Sequence, residues 1–186
     1  MPRRTNLLLA LLLIPPITIP FLIIAVLVRV TSSGSVIYWS TRMGRNNKTF
    51  KMPKFRTMRL NTPDIATHLI ENADQFVTPI GRILRKTSLD ELPQLWSILK
   101  GDMAFVGPRP ALYNQDDLIV LRTQKGVHQL TPGVTGWAQI HGRDDLPIPE
   151  KVEMDYYYIR NRSTALDLNI IWHTFFTVFK SKGISH

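Results

Sequence analysis

The sequence predicts a compact α/β (α+β) domain carried on an N-terminal re-entrant membrane helix, which together make a monotopic membrane protein. Three observations predict it. An apolar run near the N-terminus is broken by three prolines, basic residues stand on both sides of that run, and the remainder alternates strand and helix signals with glycine- and proline-rich turns. The expected division is a membrane hairpin over 1–30 and one compact domain over 31–186.

The apolar run extends from Leu7 to Val28, 22 residues with Thr18 as the only polar one. As a straight helix it would measure roughly 33 Å, long enough to cross a bilayer. Pro15, Pro16 and Pro20 argue against a simple span. Each removes a backbone donor, and Pro16 also pushes Pro15 out of helical geometry, so a sharp bend is expected at Pro15-Pro16. Arg3 and Arg4 precede the run, while Arg29, Arg42 and Arg45 follow it, whereas a spanning helix biases its basic residues to one side. A re-entrant hairpin with both ends cytosolic satisfies both observations. A secretory signal is the rival, since Thr31 to Ser35 offers small residues, but the apolar core exceeds the usual length and the Arg3-Arg4 pair lacks the rest of a twin-arginine pattern.

Charge follows the same division. The chain carries a formal +9, with ten Lys and Arg before the first acid, Asp64, and 13 basic against 14 acidic residues from there on. Positive charge concentrated around the greasiest segment points to anionic lipid headgroups more than to nucleic acid, with a merely solubilising basic surface as the alternative. No cysteine is present, which excludes disulfides, thiolate zinc sites and cysteine nucleophiles and is compatible with a reducing cytosol.

In the remainder, Val36 to Trp39 and Thr49 to Met52 read as two strands of a hairpin joined by a turn at Gly44 to Asn47. Thr78-Pro79 is a helix start, with Thr as N-cap and Pro at the first helical position, leading into Ile80 to Lys86. A second helix is expected from Ser88 to Asp90 onward, running to Lys100 and stopped by Gly101. Asp116 to Arg122 forms another, between rigid turns at Gly107 to Pro110 and Thr131 to Gly136. The last helix, Asp167 to Lys180, gathers Trp172, Phe175, Phe176 and Phe179 on one face, which suits either the core or a membrane. Tyr156, Tyr157 and Tyr158 carry the same ambiguity.

The chemistry concentrates in Thr87 to Trp96. Ser88 and Glu91 have capping-box spacing, which would give Glu91 a purely structural duty. With Asp90 as N-cap instead, Pro93 falls inside the first turn, and a carboxylate sits at the positive helix end, ionised and beside a place suited to phosphate. Its repulsion with phosphate would need a divalent cation or arginines. Phosphate partners are available in Arg85, in Arg109 of Gly-Pro-Arg-Pro, in Arg143 of His-Gly-Arg, and in Lys54 and Arg56. Arginine suits this work because its planar fork donates two parallel hydrogen bonds. His141 has no partner at metal spacing, and neither a serine-hydrolase order nor a phosphate-cradling Gly-x-x-x-x-Gly-Lys loop is present.

Lys54-Phe55-Arg56-Thr57-Met58, Arg85, Ser88 to Gln94, Lys100-Gly101-Asp102-Met103, Gly107 to Pro110, Pro132 to Gln139 and Gly142-Arg143 follow one another along nearly the whole chain. Together they resemble the small monotopic phosphoglycosyl transferases of the bacterial sugar transferase family. The resemblance implies a membrane helix bent at Pro16, a catalytic domain on the cytosolic face of the bacterial inner membrane, and Mg2+ held by Asp90. It implies transfer of a sugar phosphate from a UDP-sugar to polyprenyl (undecaprenyl) phosphate, with release of UMP, as the first membrane step of glycoconjugate synthesis. In that scheme Asp90 is the nucleophile and Glu91 a base or proton handler. Lys54, Arg56, Arg85, Arg109 and Arg143 bind phosphates or nucleotide, and Asp155 matches a family acidic residue counted with the substrate-binding set. Membrane lipids are expected partners and nucleic acid is not, while homo-oligomerisation stays open. Pro15 stands where the family often has Ser, and Asn6 where an acidic residue often precedes the membrane helix. Lacking the extra transmembrane helices of larger relatives, the chain reads as a minimal enzyme or as the catalytic portion of one. A non-enzymatic protein binding anionic lipid is the competing class; a nucleic-acid binder would need a basic face with stacking aromatics.

Overall fold

Helix α1 (Arg3–Thr31) takes up the whole apolar run in the computed structural model, which describes residues 1–60, 62, 75–142 and 146–180. Its helical assignment is unbroken through Pro15, Pro16 and Pro20, so the prolines leave no unwound turn between two separate legs. Proline removes single hydrogen bonds from the ladder without forcing the chain out of helix, and the Thr18 hydroxyl adds a bond to the Ile14 carbonyl at 2.8 Å. The helix is long and apolar enough to cross a membrane.

Both ends of α1 dock on the same domain. At the start, Arg3 donates to the carbonyls of Ile98 and Leu99, and Ala10 packs with Met52, Ile98 and Met103. Asn6 is buried there; its amide donates to the carbonyls of Met1 and Pro2, and its oxygen accepts from Phe105 N–H at 2.8 Å. An acidic residue could not donate to those two carbonyls, which accounts physically for an amide at this position. At the far end, Ile24 and Val28 pack with Phe55 and Leu84, and the Phe21 and Phe55 rings lie 4.8 Å apart. Between the docked ends the helix leaves the domain: Leu12 is 71% exposed and Ile19 69%.

Strands β1 (Ile37–Met43) and β2 (Thr49–Phe55) form the expected antiparallel hairpin, in register from Ile37 opposite Phe55 to Met43 opposite Thr49. Asn46 and Asn47 close it with positive φ, a conformation that asparagine tolerates. Helix α2 (Pro79–Lys86) starts as its sequence dictates, with the Thr78 hydroxyl accepting from Gly81 N–H at 3.0 Å.

The helix expected from Ser88 onward divides in two. Ser88 takes a left-handed conformation, φ 57°, Leu89–Glu91 form a single 3-10 turn, and α3 (Gln94–Lys100) begins only after Pro93. Asp90 is therefore not an N-cap, and Ser88 makes no side-chain cap bond, so both capping readings fail. Gly101, at φ 100°, ends α3 as expected.

Strands β3 (Ala104–Val106) and β4 (Gly133–Thr135) pair in parallel, with α4 (Asp116–Gln124) between them in sequence. Helices α5 (Trp137–His141), α6 (Ile148–Asn161) and α7 (Thr164–Lys180) follow. On α7 the inward face holds Ile170 and Asp167, whose carboxylate accepts from the buried Tyr158 hydroxyl at 2.6 Å. Trp172, Phe175 and Phe176 lie on the exposed side, which removes the core reading of this stripe; the Phe179 side chain lies outside the described ones. Tyr157 is exposed and stacks on Trp137 at 5.0 Å.

Candidate active site

The site is assembled where the turn after α2 meets the end of β2 and the loop after β3. Leu89 and Leu92, three residues apart, pack into the apolar cluster of Ile24, Val28, Phe55 and Leu84. That anchoring leaves Asp90 and Glu91, between them, to point into a ring of cations. β2 supplies Lys54, whose Nζ lies 2.7 Å from Glu91 Oε1 and 4.0 Å from Asp90 Oδ2. The loop Gly107 to Pro110 supplies Arg109, whose Nη2 donates to the same Glu91 oxygen at 2.8 Å. Arg85, in the last turn of α2, donates to Met58 Sδ at 3.5 Å and bears electrostatically on Asp90.

The loop carrying Arg109 is fixed by backbone contacts. Gly107 N–H donates to the Thr135 carbonyl at 2.9 Å, and Gly133 N–H donates to the Pro108 carbonyl at 2.9 Å. A side chain at Gly107 would bring Cβ within 2.5 Å of the Thr131 carbonyl oxygen, so only glycine allows this approach to β4.

The two carboxylates sit in opposite electrostatic situations. Burial pushes the Asp90 carboxyl above its usual value; Lys54 opposes this, Glu91 adds to it, and Arg109 and Arg85 oppose it. Burial pushes Glu91 upward as well, but Arg109 and Lys54, through charge and hydrogen bonds, outweigh it and hold Glu91 well below the usual carboxylate range. Glu91 is thus an anion saturated by two cations, whereas Asp90 is 7% exposed and, among the described residues, has no ion pair shorter than the 4.0 Å to Lys54. A buried carboxylate without a close counter-charge is set up either to take a cation or to react with a group that brings one.

The remaining sequence-derived candidates divide. Arg56 points away: its Nη2 donates to the Ser32 carbonyl and hydroxyl at 2.9 and 2.8 Å, tying β2 to the end of α1. Asp155 is 1% exposed and its Oδ2 accepts from Arg122 Nε and Nη2 at 2.9 and 2.6 Å, so its carboxylate is engaged inside the domain. Arg143 lies outside the described residues. Sequence reasoning missed Arg122, because a helical arginine looks like a surface charge until its buried partner is known.

Comparison with known proteins places the sequence in a family. The bacterial sugar transferase family model matches residues 1–181. The exopolysaccharide production protein ExoY of Rhizobium meliloti is 40% identical over 94% of the chain and 82% of its own length. A UDP-N-acetylgalactosamine-undecaprenyl-phosphate N-acetylgalactosaminephosphotransferase of Aeromonas hydrophila is 35% identical over 97% of the chain, which spans 44% of that protein. A UDP-glucose:undecaprenyl-phosphate glucose-1-phosphate transferase of Escherichia coli is 41% identical over 94% of the chain, which spans 39% of it. With residues 1–181 matched by the family model, the chain belongs to the bacterial sugar transferase family.

Proposed function

We propose that the chain is a phosphoglycosyl transferase, which moves a sugar 1-phosphate from a UDP-sugar to polyprenyl phosphate at the cytosolic face of the bacterial inner membrane and releases UMP. The observation that carries the reading is the buried, incompletely neutralised Asp90 ringed by Lys54, Arg85 and Arg109. The names of the Aeromonas and Escherichia relatives both specify a UDP-sugar donor and an undecaprenyl-phosphate acceptor.

In the first step an Asp90 carboxylate oxygen attacks the sugar-bearing phosphorus. The phosphorus–oxygen bond to UMP breaks, UMP leaves, and the phosphosugar stays on Asp90 as an acyl phosphate. In the second step a phosphate oxygen of the lipid attacks the same phosphorus, the bond to Asp90 breaks, and the carboxylate is restored. Dividing the reaction this way separates departure of UMP from attack by the lipid phosphate and places the charge compensation in fixed side chains. Arg109 and Lys54 stabilise the phosphate oxygens, and Glu91 orients both cations. Being held far below the usual carboxylate range, Glu91 is a weak base while so paired, which favours this orienting role over proton handling.

Mg2+ fits the donor set. Among the described residues no group of three or more metal-ligating side chains exists, but Mg2+ keeps water and substrate phosphates as ligands and needs only one or two carboxylates. Asp90 would hold it together with phosphate oxygens, and the ion would supply neutralisation of charge on the transferring phosphate. Membrane seating is supported by α1, whose two ends dock on one domain while its apolar middle is exposed.

The activity is tested by incubating purified protein with polyprenyl phosphate, Mg2+ and a panel of UDP-sugars. UMP release with at least one sugar is expected; none with any would leave a non-enzymatic lipid-binding protein. The topology has its own test, made clean by the absence of native cysteine. Pro2→Cys and Ser33→Cys, introduced singly, should both be labelled from the cytosolic side, and labelling from opposite sides would establish a span. Gly34 is unsuitable, because a Cβ there would meet Arg56 Nη1 at 2.2 Å.

A further inference from the structure

We propose that Arg122 and Asp155 are positioning residues, which act as a buried strut setting the place of Arg109 in the site. Arg122, on α4, spends two of its donors on Asp155 Oδ2 of α6, at 2.9 and 2.6 Å. Its third, Nη1, donates to the main-chain carbonyl of Arg109 at 2.7 Å. The side chain of that same residue reaches Glu91. A continuous path of charge-assisted hydrogen bonds therefore runs from α6 through α4 to the loop and on to the site, each member fixing the next.

Neighbouring positions of the loop have anchors of their own. Gly107 and Pro108 are held by backbone bonds to β4, and beyond Arg109 the Pro110 carbonyl accepts from Arg42 Nη1 at 3.3 Å and the Ala111 carbonyl from Met43 N–H at 2.9 Å. The Arg122 donor is what engages the Arg109 carbonyl itself. Stability is a weak explanation for the pair, since buried ion pairs replaced by apolar residues of similar volume often leave a protein equally or more stable. A small displacement of a phosphate-binding arginine, by contrast, is costly to turnover.

This inference rests on the reading of Arg109 as a phosphate ligand, and the test separates the two. The informative variant removes both charges at once, Arg122→Met with Asp155→Leu, so that no lone charge is stranded. It should keep its thermal midpoint within a few degrees of wild type yet lose on the order of ten- to a hundredfold in kcat/KM for the UDP-sugar. In an Arg109→Ala background the same pair of changes should cost little further, because nothing remains to be positioned. Should the double variant unfold, Arg122→Lys retains the charge for Asp155 but lacks the planar fork that reaches Asp155 and the Arg109 carbonyl at once, and it should show the same loss and the same non-additivity. Losses that multiply fully with that of Arg109→Ala, or full activity in the apolar pair variant, would overturn the strut while leaving Arg109 as a ligand. Wild-type turnover in Arg109→Ala would overturn the ligand reading and the strut together.

Discussion

Asp90→Asn is expected to abolish turnover completely while leaving the fold intact. Wild-type protein given a UDP-sugar and Mg2+ without lipid acceptor should release at most about one UMP per active site and gain the mass of one phosphosugar, as a covalent intermediate requires. Both signals should vanish in the variant, because the amide lacks the carboxylate electron pair that forms the acyl phosphate. Stability should change by about 1 kcal/mol or less, since Asp90 caps no helix and its amide relieves a buried charge. Near wild-type turnover in Asp90→Asn, or UMP that appears only with lipid acceptor and never with an adduct, would refute the covalent mechanism.

Removing either cation that binds Glu91 is expected to have the next largest effect. Lys54→Met and Arg109→Ala should each lower kcat/KM by on the order of ten- to a thousandfold, the range for lost charge-assisted contacts to a reacting phosphate. Each should also move the pH profile in a defined direction. Burial raises the Asp90 carboxyl, and the nucleophile must be ionised, so kcat/KM falls as pH drops through that raised value. Lys54 and Arg109 both pull it down; without either, Asp90 holds its proton to higher pH and the acid limb shifts upward. A shift to lower pH, or an unmoved profile with full activity, would mean that these cations do not act on Asp90.

Much of this architecture was legible because the signals are local. The Thr78-Pro79 start of α2, the Gly101 stop of α3 and the β1–β2 hairpin each depend on side chains and backbone within a few residues. The apolar run likewise announced a helix long enough to cross a membrane, and the order of short motifs announced the family. Asp90-Glu91 stood out from the same stretch, although the expected cap was replaced by a left-handed Ser88 and a 3-10 turn. Two leucines of that stretch pack, partly buried, against the apolar cluster, and this contact is a tertiary fact.

What depended on the path of the chain was not legible. Glu91 finds Lys54 across 37 residues and Arg109 across 18, and Arg122 finds Asp155 across 33. Arg56, equal to Lys54 on paper, turns instead to Ser32 at the end of α1, and the aromatic face of α7 ends outside the core. By itself the sequence determined the β1–β2 hairpin, the start of α2, the stop of α3 and the long apolar helix, because turn and cap energies are short-range. Only the tertiary structure decided which charges meet, because a buried ion's environment is set by distant groups that folding brings within hydrogen-bond reach.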